Sequence, residues 1–239
     1  MPTLTKINLL VYLAVWRRPE ITELCFSGLD RIRKHPAYNI ICLAVISEPS
    51  MIPLCEAHNI KWVMHQNFPL GQKKNYGLKT AMFEKFDYML EIGSDDLVTN
   101  QMMDHYLDSF GKHEFFGISD VAYIESESGV CRRLTNKSTT YGAGRMISRR
   151  VLEQCNWNLW TNSINRGLDN DSMRRIEKHG FKFHKLEPMQ EPGLIDVKSN
   201  ENLWKFNYFL GVPYNKEKIY ELLSQPEINY LNQLQNAGS

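Results

Sequence analysis

The chain alternates β-rich apolar runs with amphipathic segments from Ile7 to Gly93, and this rhythm constrains its fold more than any other feature. The first run, Ile7–Val15 (INLLVYLAV), is almost uninterrupted, as expected for a strand buried on both faces. Pro19 then opens a helix-like stretch. The elements predicted after the first strand are a helix over Glu20–Lys34, strands over Tyr38–Ser47 and Ile60–His65, a helix over Gln72–Phe86 and a strand over Tyr88–Ile92.

This βαβαβ order predicts an α/β fold with a mostly parallel central sheet and helices on both of its faces. In such sheets, ligands bind beyond the carboxyl ends of the strands. The segments that follow the predicted strands are therefore the first candidates for a site, and they are Trp16–Arg18, Ser47–Pro49, Gln66–Leu70 and Gly93–Asp96.

Length and charge narrow the class of protein further. The chain has 239 residues, 43% of them hydrophobic, which is enough for one well-packed domain. A net charge of +1 argues against a strongly basic nucleic-acid-binding tail and against an acidic disordered chain. The longest apolar run, near Leu9–Trp16, is too short to span a bilayer, and Arg17 and Arg18 stand where a signal peptide would be cleaved. We therefore expect no membrane span and no secretory signal.

The five cysteines are odd in number and form no CxxC pair, so a disulfide framework and a cysteine-rich zinc site are not expected. A reducing, cytoplasmic location and a role as small core residues are predicted instead. The chain also lacks HExxH, GxSxG and GxxxxGK[ST] motifs. This argues against zinc hydrolases, serine hydrolases and P-loop enzymes.

Two adjacent carboxylates, Asp95 and Asp96, end the run Tyr88–Leu97 (YMLEIGSDDL). Carboxylates at the carboxyl edge of a sheet suit a hard divalent cation held between the protein and substrate phosphates. The alternative is that one of them caps a helix beginning just after them. His184, in the strand-like segment Phe181–Leu186, either completes a metal site with Asp96 or is structural.

Lys73, Lys74 and Asn75 lie at the start of the helix predicted from Gly71–Leu78 (GQKKNYGL). Backbone N–H groups and a lysine at such a position form a cradle for a phosphate or a ribose. A solvated basic helix start is the alternative, although lysines there oppose the helix dipole.

Asp169 and Asp171 lie in the helix-like segment Gly167–Gly180. Either could face a cleft as a general base, and helix capping explains one of them but not both. The segment Thr140–Arg150 (TYGAGRMISRR) lacks the third glycine of a dinucleotide fingerprint. It predicts a loop along which the backbone approaches a substrate, with Arg145 reaching a phosphate or the acceptor.

A polar run over Glu191–Phe209 predicts a lid or an acceptor wall. Its candidate side chains are Asp196, Lys198, Asn202 and Trp204.

Five pieces stand in a fixed order along the chain. The first piece is a strand that ends in basic residues, and the second is a helix that starts with Lys-Asn. The third is an apolar strand that ends in Ser-Asp-Asp. A glycine-rich loop over Tyr141–Arg145 and an Asp-bearing helix over Leu168–Arg175 follow. This order resembles that of GT-A-fold glycosyltransferases of family 2, over a range from Ile7 to His184. Gly93 stands where that family has the upstream aspartate of its carboxylate motif, and Leu168 where it has a glutamate before the catalytic aspartate.

The resemblance implies a metal-dependent hexosyl- or pentosyltransferase with a Rossmann-like GT-A fold. Such an enzyme moves a sugar from a nucleoside-diphosphate sugar, with a UDP-sugar favoured, to an acceptor hydroxyl. The resemblance further implies a nucleotide-sugar half over residues 1–97, an acceptor half over 98–210 and a C-terminal helical extension over 211–239.

The resemblance also assigns roles to residues. It implies Mn²⁺ or Mg²⁺ on Asp96, with Asp95 on the metal or toward the donor ribose, and Asp169 as the base, with Asp171 as the second candidate. The implied donor site comprises Val15, Trp16, Arg17, Glu48, Lys74, Asn75 and Asp95. The implied acceptor site comprises Gly142, Gly144, Arg145, Arg174 and Trp204.

The default acceptor is a saccharide, and DNA is the second candidate. Four Arg-Arg pairs, at 17–18, 132–133, 149–150 and 174–175, either hold acceptor phosphates or are scattered surface arginines. The chain is similar in size to the compact DNA-modifying sugar transferases of viruses. Such an enzyme would flip out a hydroxymethylated base and would act in the host cytoplasm.

Two other classes stay open. A sugar-nucleotide nucleotidyltransferase uses a related fold, but Trp16–Glu20 contains no glycine for its first loop. A catalytically inactive nucleotide-sugar-binding module is compatible with the glycine at position 93. The stereochemistry of transfer, inverting or retaining, is also left open.

Overall fold

The chain forms twelve strands and eight helices in a computed structural model that describes residues 6–135, 141–199, 201–202, 206–208 and 211–237. The strands are β1 (Ile7–Val15), β2 (Tyr38–Ile46), β3 (Lys61–Met64), β4 (Tyr88–Gly93), β5 (Asp96–Val98), β6 (Phe115–Gly117), β7 (Asp120–Glu125), β8 (Cys131–Thr135), β9 (Arg145–Ser148), β10 (His184–Lys185), β11 (Leu194–Lys198) and β12 (Val212–Pro213). The helices are α1 (Pro19–Ile32), α2 (Ile52–Ala57), α3 (Leu70–Ala81), α4 (Asn100–Tyr106), α5 (Arg149–Gln154), α6 (Leu168–Lys178), α7 (Lys216–Glu221) and α8 (Gln225–Ala237).

The central sheet has the strand order β10-β6-β9-β4-β1-β2-β3. Strands β4, β1, β2 and β3 run parallel to one another, as the βαβαβ rhythm predicts. Strand β9 runs antiparallel to both β4 and β6. The predicted α/β class is therefore confirmed. The central sheet is mixed, because β9 is antiparallel to both of its neighbours.

Strand β1 is apolar throughout because both of its faces are covered. Leu9, Val11 and Leu13 pack in one layer, which includes residues of α1, α2 and α4. Leu10 and Tyr12 pack in the other layer, which includes residues of α3, α5 and α6. Burial on both sides explains why this strand shows no polar alternation.

A second sheet, of order β12-β8-β7-β11-β5, is joined to the central sheet by the turn between β4 and β5. The helix expected directly after Asp96 does not begin there, because β5 intervenes. The following helix, α4, is instead capped by Thr99, whose hydroxyl accepts a hydrogen bond from Met102 N at 3.1 Å. Capping therefore does not explain the two adjacent aspartates.

The C-terminal helices pack against the second sheet and α1. Leu231 of α8 and Ile219 of α7 share an apolar layer with Leu24 of α1. The buried Glu227 carboxylate of α8 also accepts two hydrogen bonds from Arg31 of α1, at 2.8 and 3.0 Å. The division of the chain at residues 97 and 210 stays a prediction.

All five cysteines are buried and unpaired, as expected for core residues. Among the described residues, each helix falls short of the length and apolar character that crossing a bilayer requires.

Candidate active site

A cavity of about 490 Å³ opens where the carboxyl ends of β1 and β4 lie side by side. The loop after β1 contributes Trp16–Arg18, and the start of α3 contributes Lys73 and Lys74. Asp169 of α6 and Lys198 of β11 line the same cavity from the later part of the chain. Segments that are distant in sequence thus meet at the strand ends, where α/β sheets bind ligands.

Three carboxylates, those of Asp95, Asp96 and Asp196, form an acidic cluster, and the first two of them line this cavity. One oxygen from each lies within 4.8 Å of the others. Asp95 belongs to the turn before β5, and the antiparallel register of β5 and β11 sets Asp96 opposite Asp196. Sequence reasoning missed Asp196 as a metal ligand, because only this strand pairing brings it next to Asp96.

Two cations and one amide contact the acidic cluster. Arg18 Nη1 lies 3.0 Å from Asp95 Oδ2, and Lys198 Nζ lies 2.5 Å from Asp196 Oδ2. Asn202 Nδ2 donates a hydrogen bond of 2.6 Å to Asp95 Oδ2. These groups offset part of the negative charge of the three carboxylates.

The three carboxylates differ in proton affinity. Burial raises the pKa of Asp96 well above its ordinary value, and the charges of Asp196 and Asp95 add to the shift. Burial also raises the pKa of Asp196 to about 6, against the charge of Lys198. Burial acts on Asp95 as well, but the charges of Arg18 and Lys198 outweigh it and lower its pKa. Burial and mutual repulsion thus oppose negative charge on Asp96 and Asp196, and a bound cation would offset both effects.

The acidic cluster fits a hard divalent cation such as Mg²⁺ or Mn²⁺, which prefers carboxylate oxygens. Asp196 Oδ1 is buried and has no hydrogen-bond partner among the described residues. A side chain at Gly93 would meet Asp95 Oδ1 at 2.6 Å and Asp96 Oδ2 at 2.9 Å. The glycine at position 93 thus leaves room for the two aspartates, and all three carboxylates are candidate ligands.

His184 does not join the acidic cluster, so the structure corrects its predicted role as a metal ligand. It starts the edge strand β10, three strands away from β4 in the central sheet, or about 14 Å at the usual strand spacing. Its exposed ring stacks on His113 with ring centroids 3.5 Å apart.

Asp169 is the predicted base that faces the cavity. Its Oδ2 accepts a hydrogen bond of 3.0 Å from the backbone N–H of Gly142. A Cβ atom at Gly142 would lie only 2.2 Å from Asp169 Oδ1, so this position requires glycine. Gly144, two residues further along the same loop, has a φ of +84°. The glycine-rich loop therefore holds the carboxylate of Asp169 in place.

Arg145 lies beneath the site and not in it, which corrects its prediction as an acceptor ligand. Its side chain is buried, and Nη1 donates to the backbone oxygen of Asp169 at 2.8 Å and to Ser172 Oγ at 3.1 Å. The guanidinium therefore holds the first turn of α6, because strand β9 directs this side chain into the protein.

Asp171 is occupied in the packing of α6, so its prediction as a base is corrected. Its Oδ2 accepts a hydrogen bond of 2.6 Å from Thr161 N, and Oδ1 accepts one of 3.2 Å from Thr161 Oγ1. Arg174 is exposed on the same helix and does not line the cavity. Trp204 lies outside the described residues.

The two lysines of α3 have different surroundings. Lys73 is fully buried, and its Nζ donates to Val15 O at 2.6 Å and to Asn67 Oδ1 at 3.1 Å. Burial lowers the pKa of Lys73 to about 7, against the charge of Glu48. Lys74 forms an ion pair with Glu91 Oε1. Sequence reasoning did not single out Glu91, which reads as an isolated acid in an apolar strand.

Asn75 faces away from the cavity, which corrects its prediction as a donor ligand. Its Oδ1 accepts hydrogen bonds from the backbone N–H groups of Leu159 and Trp160 at 3.0 and 3.1 Å. Its Nδ2 donates to Trp160 O at 2.5 Å and to Asn162 Oδ1 at 2.8 Å. Helical periodicity turns Asn75 toward this loop while Lys74 faces the cavity.

The end of β1 contributes backbone as well as side chains. Val15 offers its carbonyl to Lys73, while Trp16 and Arg17 line the cavity. Glu48, which follows β2, accepts a hydrogen bond of 3.1 Å from the backbone N–H of Arg17 and so braces this loop.

The four arginine pairs lie on separate elements, and several of their side chains form ion pairs. Arg18 pairs with Asp95, and Arg149 pairs with Glu153. Arg133 pairs with Asp120, and Arg150 pairs with Glu114. The described residues therefore give no indication that the four pairs converge on one surface.

Comparison of the chain with protein-family models and with curated proteins gave no match. The chemistry that this site can support therefore has to be inferred from its own residues.

Proposed function

We propose that the chain is a GT-A-type glycosyltransferase that moves a sugar from a nucleoside-diphosphate sugar to an acceptor hydroxyl. The observation that carries this proposal is that Asp95 and Asp96 of the acidic cluster line the same cavity as Asp169 at the strand ends. The parallel strands β3, β2, β1 and β4, followed by the antiparallel β9, support a GT-A-type arrangement of the central sheet. Topology and site thus favour the same class of enzyme.

The donor diphosphate would bind between the acidic cluster and the basic side chains of the cavity. Arg18 and Lys198 line this region and offer N–H donors to phosphate oxygens. A divalent cation on the acidic cluster would supply charge neutralisation for the departing diphosphate. Arg18 and Lys198 would stabilise the same charge from the protein side.

Asp169 would act as the general base in a single displacement. The acceptor oxygen forms a bond to the anomeric carbon, the bond from that carbon to the diphosphate oxygen breaks, and the acceptor proton passes to Asp169. The nucleoside diphosphate leaves with the bonding electron pair. Gly142 N–H and Arg145 orient Asp169, so its geometry is fixed before the substrates bind. This mechanism inverts the anomeric centre.

We take a saccharide hydroxyl as the acceptor. A DNA acceptor would require basic side chains gathered along one surface to hold the backbone phosphates. The arginine pairs are instead spread over separate elements, and several are engaged in ion pairs. The separation of these pairs favours the smaller, uncharged acceptor.

The experiment that tests this function is analysis of the products formed from a panel of UDP-, GDP- and CDP-sugars with added Mn²⁺. Release of a nucleoside diphosphate, by transfer or by slow hydrolysis, is the expected result. Formation of pyrophosphate would indicate a nucleotidyltransferase instead. Binding of a nucleotide sugar without any turnover would indicate an inactive binding module.

A further inference from the structure

Glu91 is a buried residue of the cavity lining, and one oxygen of its carboxylate is unpartnered. The residue is 3% exposed and belongs to the lining of the cavity. Its Oε1 pairs with Lys74, whereas Oε2 has no hydrogen-bond partner among the described residues. A buried carboxylate oxygen without a donor is unfavourable, so such an atom calls for a ligand.

Contacts around Glu91 and its partner Lys74 fix the Glu91 carboxylate in position. Lys74 Nζ, its ion-pair partner, also lies 4.3 Å from the centroid of the Trp160 ring. The backbone carbonyl of Lys74 accepts a hydrogen bond of 2.5 Å from Tyr12 Oη. The ion pair, the Trp160 ring and the hydrogen bond from Tyr12 thus hold Lys74 in place, and Lys74 in turn holds the carboxylate of Glu91 in the cavity wall.

Resting on the proposed function, we infer that Glu91, oriented by Lys74, is a specificity-determining residue that accepts a hydrogen bond from a hydroxyl of the transferred sugar. The unused Oε2 supplies the acceptor atom. The hydroxyl hydrogen supplies the missing donor, so the sugar satisfies a buried group that is otherwise unpaired. The ligand class is a nucleotide sugar with a free hydroxyl at this point of the ring.

The position of Glu91 fits the sugar better than the diphosphate. Glu91 O accepts a hydrogen bond of 2.8 Å from Gly144 N, in the loop whose Gly142 N–H holds Asp169. Glu91 also precedes the acidic turn on the same strand, β4. Glu91 is thus linked through the backbone both to the loop that holds the proposed base and to the acidic turn of the proposed diphosphate site, so the transferred sugar would lie beside it. An acidic group there would repel phosphate but suits a hydroxyl.

The test compares dissociation constants of UDP with UDP-glucose, and of GDP with GDP-mannose, by calorimetry on the wild-type protein and on Glu91→Gln. The measured quantity is the ratio of the sugar nucleotide constant to that of its nucleoside diphosphate, because removing a charge also changes affinity for the diphosphate alone. For the pair that binds, we expect the ratio to rise about tenfold to a hundredfold in Glu91→Gln. Glu84→Gln, which breaks the exposed pair with Lys61, is the matched control and should leave the ratio unchanged.

The possible outcomes separate the two proposals. If UDP or GDP binds but the ratio in Glu91→Gln equals that of the wild type, the proposed function stands and the role of Glu91 is overturned. If the wild type binds none of the four compounds, and neither CDP nor a CDP-sugar, the proposed function fails and the role of Glu91 fails with it. Should Glu91→Gln not fold, as judged by thermal unfolding, Glu91→Asp keeps the charge near Lys74, withdraws the oxygen from the sugar and is read in the same way.

Discussion

Lys73 is a fully buried amine in the cavity wall, and its surroundings give the protein a measurable pH dependence. Burial lowers the pKa of Lys73 to about 7, whereas an unfolded chain leaves a lysine near its ordinary value of about 10.4. Between these two values the unfolded state binds the proton and the folded state does not. The free energy of unfolding therefore rises with pH over this window.

We predict that Lys73→Met removes this rise. Urea unfolding of wild type and variant from pH 6.5 to pH 10 measures it, because changes in other groups cancel in the difference between the two proteins. The stability of the wild type relative to the variant should increase as the pH rises, at up to about 1.4 kcal/mol per pH unit. A difference that stays constant with pH would show that Lys73 is protonated in both states.

Asp169, the proposed base, and Asp171, which is bonded to Thr161, lie on the same turn of α6. We predict that Asp169→Asn leaves donor affinity unchanged but lowers the rate of transfer about 100- to 10,000-fold, because a base is lost. Asp171→Asn should instead lower stability by about 1–2 kcal/mol through its contacts with Thr161, with the rate per folded molecule kept. Calorimetry, a transfer assay and urea unfolding measure the three quantities. The account is wrong if the two variants exchange these effects.

Sequence position identified Asp95, Asp96 and Asp169, because residues just after a strand or at a helix start project from predictable places. The pattern could not tell whether a polar side chain faces the cavity or the interior. Asn75 and Arg145 were assigned to the site, yet their hydrogen bonds hold backbone segments. The direction of each side chain depends on which distant segment packs against it, and the residues next to it in the sequence do not determine that segment.

The glycine-rich loop over Tyr141–Arg145 positions Asp169, the proposed base. We predict that Gly142→Ala displaces Asp169, because the added Cβ would approach its Oδ1 to 2.2 Å. The transfer rate should fall by at least about tenfold, while the affinity for a nucleoside diphosphate is retained. Full transfer activity in a folded Gly142→Ala protein would contradict this role of the loop.

Helix α3 is held to the loop before α6 by Asn75. We predict that Asn75→Ala lowers the free energy of unfolding by about 2–4 kcal/mol, because buried donors and acceptors of this loop lose their partners. Lys79→Ala, at an exposed position of the same helix, should change stability by no more than about 0.5 kcal/mol. Urea unfolding measures both. Equal, small effects would mean that Asn75 has a different role.

At the scale of elements, the first four strands of the central sheet could be predicted because their own residues carry the signal. Strand β1 spans Ile7–Val15 as predicted, and β4 begins at Tyr88 as predicted. Strands β9 (RMIS) and β11 (LIDVK) were not predicted. Both are short and contain charged residues that are buried only through pairing with distant strands. Strand β9 is the antiparallel strand of the central sheet, and β11 carries Asp196. The sequence could therefore predict the residues after β1 and β4 but not the part of the site that these two strands contribute.

In the whole molecule, the candidate site depends on the junction between two sheets. Strand β4 of the central sheet ends at Gly93, and strand β5 of the second sheet begins at Asp96. The acidic turn between them therefore connects the two sheets. Arg18 comes from the loop after β1, and Lys198 and Asp196 come from β11. The site therefore forms only when both sheets are in place, and we expect ligand binding to stabilise the entire fold.

The central claim, a nucleoside diphosphate bound at the acidic cluster, is tested most directly by calorimetric titration of UDP, GDP and CDP with and without Mn²⁺. Wild type and Asp96→Asn are titrated side by side, with thermal unfolding as the check that the variant is folded. The account predicts that at least one nucleotide binds the wild type, that Mn²⁺ tightens this binding and that Asp96→Asn loses the Mn²⁺-dependent gain. Absence of binding to the wild type, or an unchanged gain in Asp96→Asn, would contradict it.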